Sequence, residues 1–248
     1  MRNASQWPTV GEPPALPILL CGASRRSTME GMSPPHRLPP EPRWPALVAM
    51  LSVSALNLAL PSSLSPGPDW LVLVLVACLL TPAILLHRFG KEGASQIFSY
   101  TALGVVTAAM VASLTLLIEG LPTHKETPGQ LLLSASLLWF SNLLVFASWY
   151  WRLDAGGPHQ RDLEGPHTDG AFLFPQMMID PQMRKAMGEE NWRPGFVDYL
   201  FLAFNTSTAF SPTDVPVLSR WAKVLMMLQA SISLATLALL AARAVNIL

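Results

Sequence analysis

The residues best suited to chemistry lie close together near the C-terminal end: Thr206, Ser207, Thr208, Ser211 and Thr213, followed by Asp214. Five hydroxyls and a carboxylate offer oxygen donors of the kind that replace part of a cation's hydration shell. They close an apolar, aromatic stretch that begins Phe196-Val197-Asp198-Tyr199-Leu200-Phe201. The donors would therefore sit at a helix end, where the last carbonyls carry partial negative charge. A second polar group, His159, Asp162, Glu164, His167 and Asp169, has atoms able to ligate a metal. Its spacing fits no helical or knuckle template, which favours a solvated loop. No GxSxG, HExxH, Walker or dinucleotide motif occurs, and no paired carboxylates lie within an apolar segment,. No catalytic residue, metal site or cofactor is expected, and the chain does not read as an enzyme.

Composition fixes the setting of these residues. The chain has 248 residues, 51% hydrophobic and 13% charged, whereas a soluble domain carries about 25% charged residues. Mean hydropathy is +0.37, and the apolar residues are gathered in long blocks. Net charge is zero, so no global basic field draws the protein to nucleic acid. Cys21 and Cys78 form no disulfide framework or metal spacing,. The expected fold class is an all-α membrane protein, with the lipid bilayer as its first partner.

Five apolar segments have membrane-crossing character, since about 20 residues at 1.5 Å each cross a 30 Å core. They run from about Trp44 to Leu60, Trp70 to Leu86, Ile97 to Ile118, Leu131 to Trp151 and Trp221 to Leu248. The first is the shortest, closed by Pro61 and the turn-rich Ser62–Pro68. The connections His87–Glu92 and Leu121–Gly129 carry charge or turn signals. Six of the eight tryptophans, Trp44, Trp70, Trp149, Trp151, Trp192 and Trp221, flank segment ends, where interfacial belts place indole rings. No Asp, Glu, Lys or His sits mid-way in the first four segments, which argues against a proton-coupled pump. Asn57, Asn142 and Gln229 are expected to hydrogen-bond between helices. Gly104, Ala108 and Ala112 recur every four residues, a helix-packing face of small side chains.

Residues 1–43 form a separate region, expected to be disordered. Ten of the 23 prolines fall in residues 1–45, and proline removes backbone donors and fixes φ. The stretch Ala15–Cys21 is too short and too interrupted for a signal peptide, and Met29 or Met32 are alternative starts. Residues 44–151 then form a four-helix transmembrane region, 152–194 a polar extramembrane loop, and 195–248 a half-helix, a broken loop and a final span. Residues 196–210 make about 22 Å of helix, too short to cross, yet too apolar for water. Ser211-Pro212 breaks the helix. A re-entrant half-helix fits this pattern, because non-helical backbone at membrane depth survives only inside protein or beside water. A helix lying flat on the bilayer is the alternative.

From Asp198-Tyr199-Leu200 through Thr206-Ser207-Thr208 to Asp214 and the last span, the chain resembles a potassium-channel pore module. It resembles more closely an uncharacterised family of bacterial integral membrane proteins with such a C-terminal half. The markers are Trp149-Tyr150-Trp151-Arg152, Phe172-Leu173-Phe174-Pro175, Asp198-Tyr199-Leu200-Phe201 and Thr213-Asp214-Val215-Pro216. The resemblance covers roughly residues 130–248 and implies location in the bacterial inner (plasma) membrane. It also implies a homo-oligomer, a tetramer if channel-like, and a monovalent cation as the permeant partner.

The filter departs from the channel pattern. A potassium filter reads Thr-Val-Gly-Tyr-Gly-Asp, and its glycines let carbonyls line up inward. Here Thr208-Ala209-Phe210-Ser211-Pro212-Thr213-Asp214 contains no glycine, and Pro212 restricts its own φ and that of Ser211,. A potassium-selective filter is not expected. The orientation also conflicts. Channels admit the pore loop from outside, whereas Arg37, Arg43, Arg88 and Lys91 on one side, against Lys125 and Arg243 on the other, favour a cytoplasmic N-terminus. The leading function is passive ion conduction by a homo-oligomer, and the alternative is a non-conducting membrane scaffold or partner-binding protein.

Overall fold

A computed structural model gives the fold and describes residues 40–120, 127–164, 170–209 and 214–245. Nine α-helices occur among the described residues. They are α1 (Trp44–Leu58), α2 (Leu71–Arg88), α3 (Glu92–Gly120), α4 (Pro128–Leu153), α5 (Pro158–Glu164), α6 (Pro175–Met178), α7 (Pro181–Ala186), α8 (Phe196–Ala209) and α9 (Arg220–Val245). Extended pairing among the described residues is limited to one antiparallel bridge, Phe172 with Val217.

Four helices, α2, α3, α4 and α9, are long and apolar enough to cross a membrane. The first expected segment becomes α1, which has 15 residues and rises only about 22 Å. It is therefore shorter than a crossing helix, and the five expected spans reduce to four long helices plus this one. At 29 residues α3 rises about 43 Å, beyond the hydrocarbon thickness, because Glu92 to Gln96 add a turn before its apolar run. Helix α4 opens with a capping box: Thr127 Oγ1 accepts from Gln130 N while Gln130 Oε1 accepts from Thr127 N, with Pro128 in the first turn,.

Two of the long helices, α4 and α9, bury polar side chains and expose apolar ones. In α9 the side chains of Gln229, Ser233 and Thr236 are buried while Val224, Met227, Leu228 and Leu234 are exposed. In α4 Ser134, Ser141 and Asn142 are buried while Leu133 and Phe140 are exposed. A helix against water shows the reverse, so this pattern suits helices long and apolar enough to cross a membrane.

Most of the charged helix ends gather at one end of the bundle. Arg43 before α1 bonds His87 at the end of α2 and Glu92 at the start of α3. Helices α1, α3, α8 and α9 run away from this end, and α2 and α4 run towards it. After α4 the chain turns through Ala155, Gly156 and Gly157, all at positive φ. At Gly157 a Cβ would lie 2.7 Å from the carbonyl oxygen of Arg152, so only glycine fits.

Within residues 152–194, expected as a polar extramembrane loop, one short stretch packs inward. Phe172 and Phe174 are buried and stack edge-on against Tyr199, and Phe172 also meets Tyr150 and Trp221. The tail boundary also shifts, because Glu41 is buried by an ion pair that its proline-rich surroundings conceal. Residues 1–39, which carry the rest of the expected disordered tail, lie outside the described residues.

In the single chain the expected small-residue face of α3 is partly open. Ala108 is exposed, Gly104 and Ala112 are half-buried, and no atom lies within 4 Å of a Cβ built on Gly104. The bundle instead takes Ala102, Leu103, Val106, Ala109, Met110 and Leu117 of α3.

Candidate functional site: the half-helix and its two anchors

Helix α8 begins at the charged end of the bundle and stops half-way along its neighbours. Its 14 residues rise about 21 Å. Gly195 N donates to Asp198 Oδ2 at 2.8 Å, so an acidic side chain in the first turn satisfies an open donor. The inward face buries Tyr199, Leu202, Ala203, Thr206 and Ser207 between α4 and α9, while Val197, Phe201 and Phe204 face outward.

Near its C-terminal end α8 is held by neutral polar groups. Gln229 Nε2 donates to Ala203 O and to Ser207 Oγ, both at 2.8 Å. Tyr150 Oη donates to Gln229 Oε1 at 2.5 Å. Asn142 Nδ2 reaches Gln229 O at 3.3 Å and Ser207 Oγ at 3.5 Å. Ser233 Oγ donates to Ser207 O at 2.7 Å and accepts from Trp139 Nε1 at 2.9 Å. Trp139, Asn142 and Ser233 lie near the middle of their helices, so α8 ends at mid-bundle. The expected interhelical role of Asn142 and Gln229 is what the geometry gives, though Asn142 Oδ1 has no partner among the described residues. Asn57, in α1, is buried with its own Oδ1 unpartnered there.

The expected site residues divide. Ser207 belongs to the anchor, and Thr206 is buried with Oγ1 donating to Leu202 O at 2.8 Å. Neither presents its hydroxyl outward. Thr208 is exposed and donates back to Phe204 O at 2.9 Å. Asp214 is exposed and next to Val215, which is buried at the charged end. Leu173 N donates to Pro216 O, and Leu218 N to Ala171 O, so the chain has returned to that end before α9. Ser211 and Thr213 lie outside the described residues, as do His167 and Asp169. Of the other loop residues, Asp162 pairs with Arg193 at 3.1 Å and His159 with Glu92 at 3.8 Å.

The N-terminal end of α8 meets a buried charged cluster that sequence reasoning missed. Arg161 Nη2 lies 2.9 Å from Glu41 Oε2, and Nη1 donates to the carbonyls of Trp151 and Asp154 at 2.9 and 2.8 Å. Trp151 Nε1 donates to the other oxygen of Glu41. Tyr199 Oη donates to Asp154 Oδ2 at 2.6 Å, and Ala171 N donates to Oδ1. The Arg161 guanidinium lies 5.4 Å from the Tyr199 ring centroid, a cation–π distance. The one sequence signal was the Gly156-Gly157-Pro158 turn, which brings Arg161 back over Trp151.

No protein-family model matches the chain, and no curated protein or solved structure matches it.

Proposed function

We propose that the chain is a multi-pass membrane protein in which α8 is a re-entrant half-helix. Several copies gather around the C-terminal ends of α8 to form a passive, weakly selective cation path. One observation carries this reading: α8 stops at mid-bundle with Thr208 and Ala209 exposed. The last carbonyls of a helix have no intrahelical partner, and each would cost several kcal/mol in hydrocarbon. A second copy or a watery cavity removes that cost. The same carbonyls form the negative end of the helix dipole and favour a cation beside the Thr208 hydroxyl. Thr206 and Ser207 brace the mouth from behind, and Asp214 stands back at the charged end, where the path would open.

Charge placement supports entry from the cytoplasm. Arg43, Arg88, Lys91, Arg220 and Lys223 flank the long helices at the end where α8 enters, against Arg243 in the last turns of α9 at the other, and positive residues mark the cytoplasmic side. This is the reverse of the potassium-channel arrangement, and with no glycine in the filter-like stretch it leaves no basis for potassium selectivity.

A non-conducting scaffold or partner-binding protein is the second reading, favoured by the anchor around Ser207 being completed within one chain. Two measurements separate them. Reporter fusions at Leu248 should place the C-terminus outside, with phosphatase activity and no cytoplasmic fluorescence. Proteoliposomes should then show cation flux that changes in Thr208→Ala at equal protein abundance. Absence of flux from a correctly oriented, oligomeric preparation, or a monomer in mild detergent, selects the scaffold.

A further inference from the structure

At the charged end a pocket of about 130 Å³ opens between the ends of α1, α2, α3 and α4, roughly ten times the space one water needs. Its charges do not balance. Glu92 is the only carboxylate on its described wall, shared by Arg43 at 3.3 Å, His87 at 2.6 Å and His159 at 3.8 Å, while Arg43 also reaches Asp162, outside the pocket wall, at 3.8 Å. Arg152 also lines the pocket and is only 8% exposed. Its guanidinium lies over the rings of Trp151 and Tyr100, at 5.4 and 5.8 Å, and 4.0 Å from Met50 Sδ. Among the described residues no carboxylate pairs with it, and its Nε–H is buried without an acceptor.

Arg161, one helical connection away, shows what this chain does when it satisfies a buried arginine itself: a carboxylate and two carbonyls surround it. A buried charge left without a partner is strongly destabilising, and a guanidinium is the group that recognises phosphate oxygens through paired donors. We propose that this pocket binds a single phosphate-type oxyanion, with Arg152 supplying the permanent charge and Arg43 and His159 the rim. Two sources have this chemistry: the headgroup of an anionic phospholipid, since exposed Ile84 makes one side apolar, and free phosphate. This site is independent of the half-helix and of whether the protein conducts.

The test uses the full chain purified in neutral detergent, with binding read by native mass spectrometry. Its ligands are dioctanoyl phosphatidylglycerol, dioctanoyl phosphatidylcholine and inorganic phosphate. Phosphatidylglycerol should bind about tenfold more tightly than phosphatidylcholine, and Arg152→Gln should abolish that preference. Glu92→Gln should increase it several-fold by removing the competing carboxylate. Phosphate binding with the same dependence on Arg152, and no lipid preference, assigns the site to the soluble ion. Equal binding of the two lipids with no phosphate binding overturns the proposal, as does a preference that survives Arg152→Gln. If that variant does not fold, Glu92→Gln decides: an unchanged or weakened preference overturns the site.

Discussion

At its N-terminal end α8 meets full charges, with Tyr199 bonded to Asp154 and stacked on an Arg161 that pairs with Glu41. Three turns further on, its C-terminal end is held only by amides and hydroxyls, Gln229, Asn142, Ser207 and Ser233. Both anchors are fully buried, so burial alone does not select their chemistry. Depth does. At the bundle end, backbone carbonyls and nearby water-facing groups help to offset the desolvation of an ion pair, whereas at mid-bundle a charge would lie among apolar side chains far from water. Neutral groups lose less on desolvation and still fix the helix register, because each hydrogen bond has a definite direction.

The comparison breaks most visibly at Glu41. Glu41→Ala leaves Arg161 buried with its charge uncompensated and should cost about 3–5 kcal/mol, measured by denaturant unfolding in detergent. The double replacement Glu41→Leu with Arg161→Met should recover most of that loss, since an apolar pair of similar volume is often neutral. A double variant as unstable as the single one would show that the charge itself, and not its pairing, organises this end. At the deep anchor, Gln229→Leu removes three side-chain hydrogen bonds and should cost about 2 kcal/mol, because such bonds in membrane proteins are worth about 0.6 kcal/mol each. A larger loss than that of Glu41→Ala would reverse the ranking of the two anchors.

The sequence made the deep anchor partly legible and the shallow one hardly at all. Asn142 and Gln229 stand out because amides are rare in apolar runs, and their isolation there predicts a partner. Glu41 and Arg161 do not stand out, since each lies among charged or proline-rich neighbours that read as solvated. Their pairing spans 120 positions and depends on the Gly156-Gly157 turn. The long helices were legible from hydropathy, and the early stop of α8 from its length. The facing of individual side chains was not. Thr206, Ser207 and Thr208 look equivalent as a run of hydroxyls, yet helical rotation of about 100° per residue turns two inward and one outward.

That rotation can be tested with adjacent substitutions. Ser207→Ala should cost about 1 kcal/mol, because it removes the acceptor shared by Gln229 and Asn142. Thr208→Ala should stay within about 0.5 kcal/mol, as expected of an exposed position, while carrying the effect on ion flux. Equal losses at the two positions would mean that both hydroxyls are structural.

The third helix offers a stabilising change. Gly104 has nothing within 4 Å of where a Cβ would be, and glycine inside a helix costs about 1 kcal/mol relative to alanine. Gly104→Ala should therefore raise stability by about 0.5–1 kcal/mol in a single chain, since no contact opposes the gain in helix propensity. Gly104→Leu adds volume to the same surface and distinguishes lipid from protein as the neighbour. Facing lipid, the leucine should be tolerated without change in oligomeric state. Facing a second copy, it would hold the two backbones apart and shift cross-linked oligomer towards monomer while leaving the fold intact. The second outcome would move the subunit contact from α8 to α3, and the carbonyls at the end of α8 would then need water as their partner.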